Sequence, residues 1–212
     1  DKAEATLKQF VSTFPNDPAG PYQLGLLAAT QRKDREAVSY FEKAAKLQPG
    51  SSTPLVSLAE AHSRLRDHKR ALSTAEQVVK LEGESAGALV FLASIQERGG
   101  DLSAAEKTYQ RAVGRDGSSL QARLGLVGVL GRQGKNSEAL VAAQEAAKIH
   151  ERSPLPHIAL GQLHERSGKQ AEAIGAYRKA LELDPGNVIA LNNLAWLLGN
   201  EGKNLDEAIA LG

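Results

Sequence analysis

The sequence has no cysteine and no methionine, and aromatic side chains make up only 4% of its 212 residues. Without cysteine the chain can form neither a disulfide nor a thiolate metal site. No apolar run approaches the roughly 20 residues that a membrane-spanning helix needs, so we expect no direct membrane insertion. The 26 basic and 25 acidic residues almost cancel. A nucleic-acid groove needs a basic excess and stacking aromatics, so nucleic acid is not an expected partner.

The chain begins at Asp1 and has no initiating methionine. We therefore expect it to be a piece of a longer protein, with any signal or membrane anchor outside this piece. Both a cytoplasmic and a periplasmic location are compatible with the sequence.

What the sequence does contain is a period of 34 residues. One column of alanine and one of leucine follow it without exception: Ala3, Ala37, Ala71, Ala105, Ala139 and Ala173, and Leu24, Leu58, Leu92, Leu126, Leu160 and Leu194. Two independent columns with one period indicate a repeat protein.

Each repeat has the pattern of two amphipathic helices. In residues 155–185 the apolar side chains recur at helical intervals, break at Gly168, resume at Ala173 and stop at Pro185. One such helix pair cannot bury its apolar face alone, so neighbouring pairs are expected to stack and share a core.

The pattern resembles the tetratricopeptide repeat, whose signature pairs Leu-Gly in the first helix with Ala, then an aromatic residue, then Pro. The signature is complete in two units, as Leu160-Gly161, Ala173, Tyr177 and Pro185, and as Leu24-Gly25, Ala37, Phe41 and Pro49. The resemblance implies an all-α fold, a right-handed superhelical solenoid of antiparallel helix pairs over residues 1–212. The full repeats in this register are 18–51, 52–85, 86–119, 120–153 and 154–187; residues 1–17 supply the second helix of a preceding repeat, and 188–212 a partial sixth.

Some units depart from the signature. The aromatic residue is replaced by Ala75 and Ala143, so we expect the middle units to pack less tightly. In the last unit one extra residue near Leu205 moves the recurring alanine to Ala208.

No residue pattern favours catalysis, a cofactor or a metal. His157 and His164 share a helix face but lie about 10.5 Å apart along its axis, too far for one ion. We interpret them, with His62, as packing residues. The glycines near Lys135 and Lys169 lack the spacing and strand context of a phosphate loop. We therefore predict that this chain is not an enzyme.

In the tetratricopeptide family the first helices of successive repeats line a concave groove. The resemblance implies two groove columns here, one of Tyr22, Val56, Val90, Leu124, Ile158 and Asn192, and one a turn further of Leu26, Glu60, Ser94, Gly128, Gln162 and Trp196. Relatives that grip acidic chaperone tails use a carboxylate clamp of Lys, Asn and Arg at these levels. This chain lacks that clamp, so a chaperone-tail adaptor is not expected.

Four consecutive repeats carry arginine near the end of the first helix, at Arg64, Arg98, Arg132 and Arg166, with Thr30 and Asn200 at the outer repeats. Translation by one period makes these side chains a ladder on one face. One interpretation is a solvated helix end, where the dipole favours cations. The other is a groove edge whose arginines hold carboxylates or carbonyl groups of an extended partner. Glu97 and Glu165 directly precede two of these arginines, and their carboxylates would neutralise the positive charge.

We predict a non-catalytic scaffold that binds an extended peptide or a partner helix of another protein in the groove. Two alternatives are a structural spacer within a multidomain protein and the substrate-recognition part of an enzyme whose catalytic domain lies outside this chain. Neither end has a polar capping helix, so end-to-end self-association is also expected. Residues 191–198 are similar to stretches of bacterial repeat proteins, including PrsT-type lipoproteins. That similarity suggests a role in bacterial secretion or exopolysaccharide assembly.

Overall fold

The computed structural model describes residues 2–201, and the side chains of residues 2–199. All regular structure within that range is helical, which confirms the predicted all-α repeat fold. The twelve helices described are α1 (Lys2–Thr13), α2 (Ala19–Thr30), α3 (Asp34–Leu47), α4 (Thr53–Arg64), α5 (His68–Leu81), α6 (Ala86–Arg98), α7 (Leu102–Arg115), α8 (Leu120–Arg132), α9 (Asn136–Ile149), α10 (Leu155–Arg166), α11 (Gln170–Leu183) and α12 (Val188–Glu201). The extra residue predicted near Leu205 and the alanine at Ala208 lie outside the described residues.

The helices form two compact units, divided between Arg115 and Asp116. The first unit contains α1–α7 and the second α8–α12. Within each unit every helix packs against the next along the chain. Their connections are short, which makes consecutive helices antiparallel neighbours. In addition α4 contacts α6, and α8 contacts α10, so first helices of successive pairs lie side by side.

Alanine columns form the contact between paired helices. The five alanines of the first column on α3, α5, α7, α9 and α11 are at most 1% exposed: Ala37, Ala71, Ala105, Ala139 and Ala173. A one-carbon side chain lets the two backbones approach closely, so a chain with only 4% aromatic residues still packs densely. The leucine column varies more, because Leu126 and Leu160 are only half-buried.

In two repeats the close approach is made by glycine against an aromatic ring. A Cβ on Gly161 would lie 2.5 Å from the Tyr177 ring, and a Cβ on Gly25 would lie 2.5 Å from the Phe41 ring. Both rings are buried, at 0% and 1% exposure. These two positions therefore require glycine as long as the ring is present.

The second unit also contains a repeat without the ring. There Val127 takes the glycine position and Ala143 the ring position, and both belong to one apolar cluster. The volume that Ala143 lacks is thus partly supplied by Val127.

The turn inside each helix pair has one residue in the left-handed conformation. Five residues share this repeat position, with φ between 59° and 88°: Arg32, Arg66, Gly100, Gly134 and Gly168. Glycine adopts positive φ without strain. The turn accounts for the glycines near Lys135 and Lys169, which need no phosphate ligand.

Three repeats bury a polar side-chain atom at one shared position of the first helix. His62 is 3% exposed, and its Nδ1 has no hydrogen-bond partner among the described residues. Gln96 Oε1 and His164 Nδ1 are in the same state. The equivalent residue of α8 is Leu130, 4% exposed. Burial lowers the pKa of His62 from its usual 6.5, because the surrounding protein solvates the charged ring poorly.

We expect Gly161→Ala to destabilise the fold, because the added methyl group must displace the buried ring of Tyr177. Overpacking of this kind costs about 1–3 kcal/mol of unfolding free energy. Gly175→Ala is the matched control, since Gly175 lies within α11 with open space around it. Alanine there should raise stability by about 0.5–1 kcal/mol through helix propensity. Urea unfolding followed by circular dichroism measures both, and changes of the same sign would contradict the packing argument.

The burial of His62 makes the stability depend on pH. The unfolded chain binds a proton at His62 more readily than the folded one, so this residue's contribution is fully present above pH 6.5 and is lost as the pH falls below it. We expect His62→Leu to keep or raise the stability near neutral pH, since Leu130 fills the same position, and to reduce the loss of stability as the pH falls below 6.5.

Chemical denaturation over this pH range measures the effect. The control is His68→Gln, which removes an exposed histidine from the same helix pair. If His62→Leu and His68→Gln give the same dependence of stability on pH, the assignment of this dependence to His62 is wrong.

Candidate protein-binding surface

In the first unit the predicted groove residues lie on α2, α4 and α6. Six of them are half-buried, with part of each side chain exposed: Tyr22, Leu26, Val56, Glu60, Val90 and Ser94. Half-buried apolar side chains on the contacting helices α4 and α6 offer a surface for apolar groups of a partner.

Tyr22 is held between two helices of this unit. Its hydroxyl oxygen lies 3.4 Å from Ser57 Oγ on α4, and its ring centre lies 5.7 Å from that of Phe41 on α3. The ring is therefore fixed from two sides, which reduces the entropy lost when a partner packs on it.

The two arginines of the ladder in this unit have internal partners. Arg64 Nε lies 2.6 Å from Asp34 Oδ1, a carboxylate at the start of α3. Arg98 donates within its own helix, to the Ser94 carbonyl oxygen at 3.3 Å and to Ser94 Oγ at 3.4 Å. For Arg64 and Arg98 these contacts favour the helix-end interpretation, because internal acceptors compete with a bound carboxylate.

In the second unit the structure gathers five of the predicted residues around one concavity: Leu124, Gly128, Arg132, Gln162 and Arg166. This α8–α10 pocket has a volume of about 240 Å³ and is lined by Leu124, Val127, Gly128 and Arg132 from α8 and by Ala159, Gln162, Leu163 and Arg166 from α10. The lining contains two arginines and no acidic residue. Its charge therefore suits an anionic group.

The floor of the α8–α10 pocket is apolar and fixed. Val127 and Leu163 are 4% and 3% exposed and share a cluster with Ala139 and Ala143 of α9. Gly128 leaves the pocket open, because a Cβ there would meet no atom within 4 Å. A side chain from a partner can enter over Gly128 and pack on this floor.

Arg166 lies against α8 because Gly131 has no side chain. A Cβ on Gly131 would be 3.0 Å from Arg166 Nη1 and 3.4 Å from Leu163 Cδ2. Arg166 is exposed, and among the described residues it forms no ion pair. Its guanidinium group is thus positioned at the pocket without being neutralised there.

The carboxylate that precedes Arg166 is occupied elsewhere. Glu165 accepts a hydrogen bond from the Tyr177 hydroxyl, which in turn accepts one from Asn193 Nδ2 at 3.1 Å. Burial and the adjacent carboxylate raise the pKa of Tyr177, so its hydroxyl remains a donor.

The same contact occurs in the first unit, where Tyr109 Oη donates to Glu97 Oε2 at 3.2 Å. The two glutamates that the sequence suggests as neutralising partners of arginine therefore both bind the buried tyrosine of their own helix pair. The sequence contains a signal for this. Glutamate stands at this position only in the repeats whose aromatic residue is tyrosine, and the repeat of Phe41 has Ala29 instead.

Three predicted residues of the second unit are not part of the α8–α10 pocket. Ile158 is 5% exposed in a cluster with Tyr177 and Leu194, so it supports the surface and offers little of its own area for contact. Asn192 and Trp196 lie exposed on α12, with Trp196 at 61%. The side chain of Asn200, the outer position of the ladder, lies outside the described residues.

Sequence reasoning missed Val127, Ala159 and Leu163 as pocket residues, and Gly131 as the residue that admits Arg166. For the glycines a signal exists, since Gly128 and Gly131 replace larger or polar residues found at their positions in other repeats. For the floor residues there is none, because their columns resemble any buried helix face.

No group of three or more potential metal ligands occurs in the part of the chain that the structure describes. His157, which sequence reasoning treats as a packing residue, is half-buried, and burial lowers its pKa. Of the helices within residues 2–201, none has the length and apolar character needed to cross a membrane.

Several solved structures share this fold. A tetratricopeptide repeat protein from Parabacteroides merdae has a TM-score of 0.76 and 18% identity, over 99% of this chain and 82% of that one. Yeast Tom70 has a TM-score of 0.72 and 18% identity, over 95% of this chain and 43% of that one. YrrB, a repeat protein with an unusual peptide-binding site, has a TM-score of 0.58 and 17% identity, over 88% of this chain and 96% of that one. At these identities the likeness concerns the fold alone.

Models of the tetratricopeptide repeat match residues 22–51, 56–119, 100–156, 154–187 and 176–210. No curated protein sequence gives a significant match. The repeat is typical of non-catalytic scaffolds for protein–protein interaction, and the matched stretches cover most of the sequence. The chain belongs to the tetratricopeptide repeat family.

Proposed function

We propose that this chain binds an extended segment of a partner protein on the first helices of its second unit, with the α8–α10 pocket receiving one side chain of that segment. The observation that carries this proposal is the apolar floor of Val127 and Leu163 beneath the open position at Gly128. A concavity of about 240 Å³ has room for one large apolar side chain and is too small for a helix.

The pocket favours binding over a purely structural spacer. A spacer needs the stacked faces of its helix pairs, but it gains nothing from an open, positively charged pocket on its first helices. The description of YrrB as having a peptide-binding site supports the same class of ligand for a chain of this fold. A role in bacterial secretion or exopolysaccharide assembly rests on residues 191–198 alone and remains a prediction.

The test begins with selection of peptides from a random linear library against the intact chain. A photo-crosslinking residue is then placed at Gln162, which is exposed in the pocket, or at Lys179, which is exposed on α11. We expect the selected peptides to crosslink at Gln162 and not at Lys179.

Filling the pocket gives a second measurement. Gly128→Leu should weaken the selected peptides about tenfold or more, because leucine would occupy the space of the bound side chain. Gly175→Leu is the control, since Gly175 also has open space around it but lies on α11. Crosslinking at Lys179, equal affinities for the two variants, or a selection that enriches no peptide would contradict the proposal.

A further inference from the structure

We infer that the α8–α10 pocket selects a partner segment that carries an acidic side chain two residues from an apolar one, and that Arg166 binds the acid. The inference rests on the proposed function and specifies the chemistry of its ligand.

The first observation that supports the inference is the charge of the pocket. Arg132 and Arg166 both line it, and no aspartate or glutamate does. The carboxylate nearest in sequence, Glu165, accepts the hydroxyl hydrogen of Tyr177 instead. An arginine whose neighbouring acid is committed elsewhere can use its planar fork to hold a carboxylate through two parallel hydrogen bonds.

The second observation is the position of the Arg166 guanidinium group. Its Nη1 lies 3.0 Å from the point where a side chain on Gly131 would begin, and Leu163 Cδ2 lies 3.4 Å from the same point. The guanidinium group is thus backed by α8 and by an apolar side chain, which limits its rotamers and excludes part of its water. A cation held in this way loses less entropy on binding than a freely rotating one.

The spacing of the ligand follows from the two groups that it contacts. Arg166 Nη1 and Leu163 Cδ2 lie 3.0 Å and 3.4 Å from one point beside Gly131, so the cation and the apolar floor are within about 6.5 Å of each other. In an extended peptide, alternate residues point to the same side and are separated by about 6.5–7 Å. An apolar residue and an acid with one residue between them therefore match the floor and the cation together.

The arginines of the first unit make a useful contrast. Arg64 is paired with Asp34, and Arg98 donates to its own helix at Ser94. Of the two interpretations of the ladder, these contacts favour the helix-end interpretation for Arg64 and Arg98, and we assign carboxylate binding to Arg166 in the α8–α10 pocket.

The test uses the peptides selected on the intact chain, each synthesised with its acid and with the matching amide. Their affinities are measured by fluorescence polarisation on the parent chain and on Arg166→Gln. We expect the amide to bind about tenfold or more weakly on the parent chain, and the two peptides to bind equally on Arg166→Gln.

Two further variants separate position from charge. Gly131→Ala moves the guanidinium group but keeps its charge, so it should reduce the preference for the acid by less than Arg166→Gln does. Arg152→Gln removes one exposed positive charge outside the pocket and should leave the preference unchanged.

The outcomes distinguish this inference from the proposed function. Two outcomes would overturn the inference and leave peptide binding intact. In the first, the selected peptides crosslink at Gln162 but contain no acid. In the second, the acid peptide binds more tightly than its amide by the same factor on the parent chain and on Arg166→Gln. If Arg152→Gln abolishes the preference for the acid as fully as Arg166→Gln does, the preference reflects overall charge, and the inference is also overturned. A failure to select peptides, or crosslinking at Lys179, would remove both.

Discussion

The close contact between paired helices is the constraint on which the rest of the structure depends. Alanines such as Ala105 and Ala139, which have no exposed surface, allow the second helix of each pair to lie directly against the first. Because the second helix supplies this contact, the outer face of the first helix is released from packing within its own pair. The positions of Leu124, Gln162 and Arg166 lie on that released face, where sequence can vary without loss of the fold.

The core and the surface are nevertheless connected in the second unit. Gly161 admits the ring of Tyr177, the tyrosine hydroxyl holds Glu165, and Glu165 is thereby kept from Arg166. A change at the buried glycine would therefore displace the tyrosine hydroxyl and, with it, the glutamate next to the exposed arginine. Such coupling is a property of repeats that combine glycine, tyrosine and glutamate, and the repeat of Val127 and Ala143 lacks all three.

The period of 34 residues was enough to predict the helix pairs and the buried alanines, because it fixes which backbone positions face one another. It also placed Leu124, Arg132, Gln162 and Arg166 on one face. It did not show that Ile158 is covered, because Ile158 of α10 shares its buried cluster with Leu194 of α12. Nor did it reveal the division between Arg115 and Asp116, since the alanine and leucine columns continue across this point. Equivalent positions share a backbone environment, whereas side-chain rotamers depend on neighbours that differ from repeat to repeat.

The exposure of Trp196 has a consequence for spectroscopy. It is the only tryptophan of the chain and is 61% exposed on α12. Its indole is already largely in water in the native state, so its emission should shift little when the helices melt. Intrinsic fluorescence will therefore under-report unfolding of this chain, and an emission change caused by an added molecule will report contact close to α12.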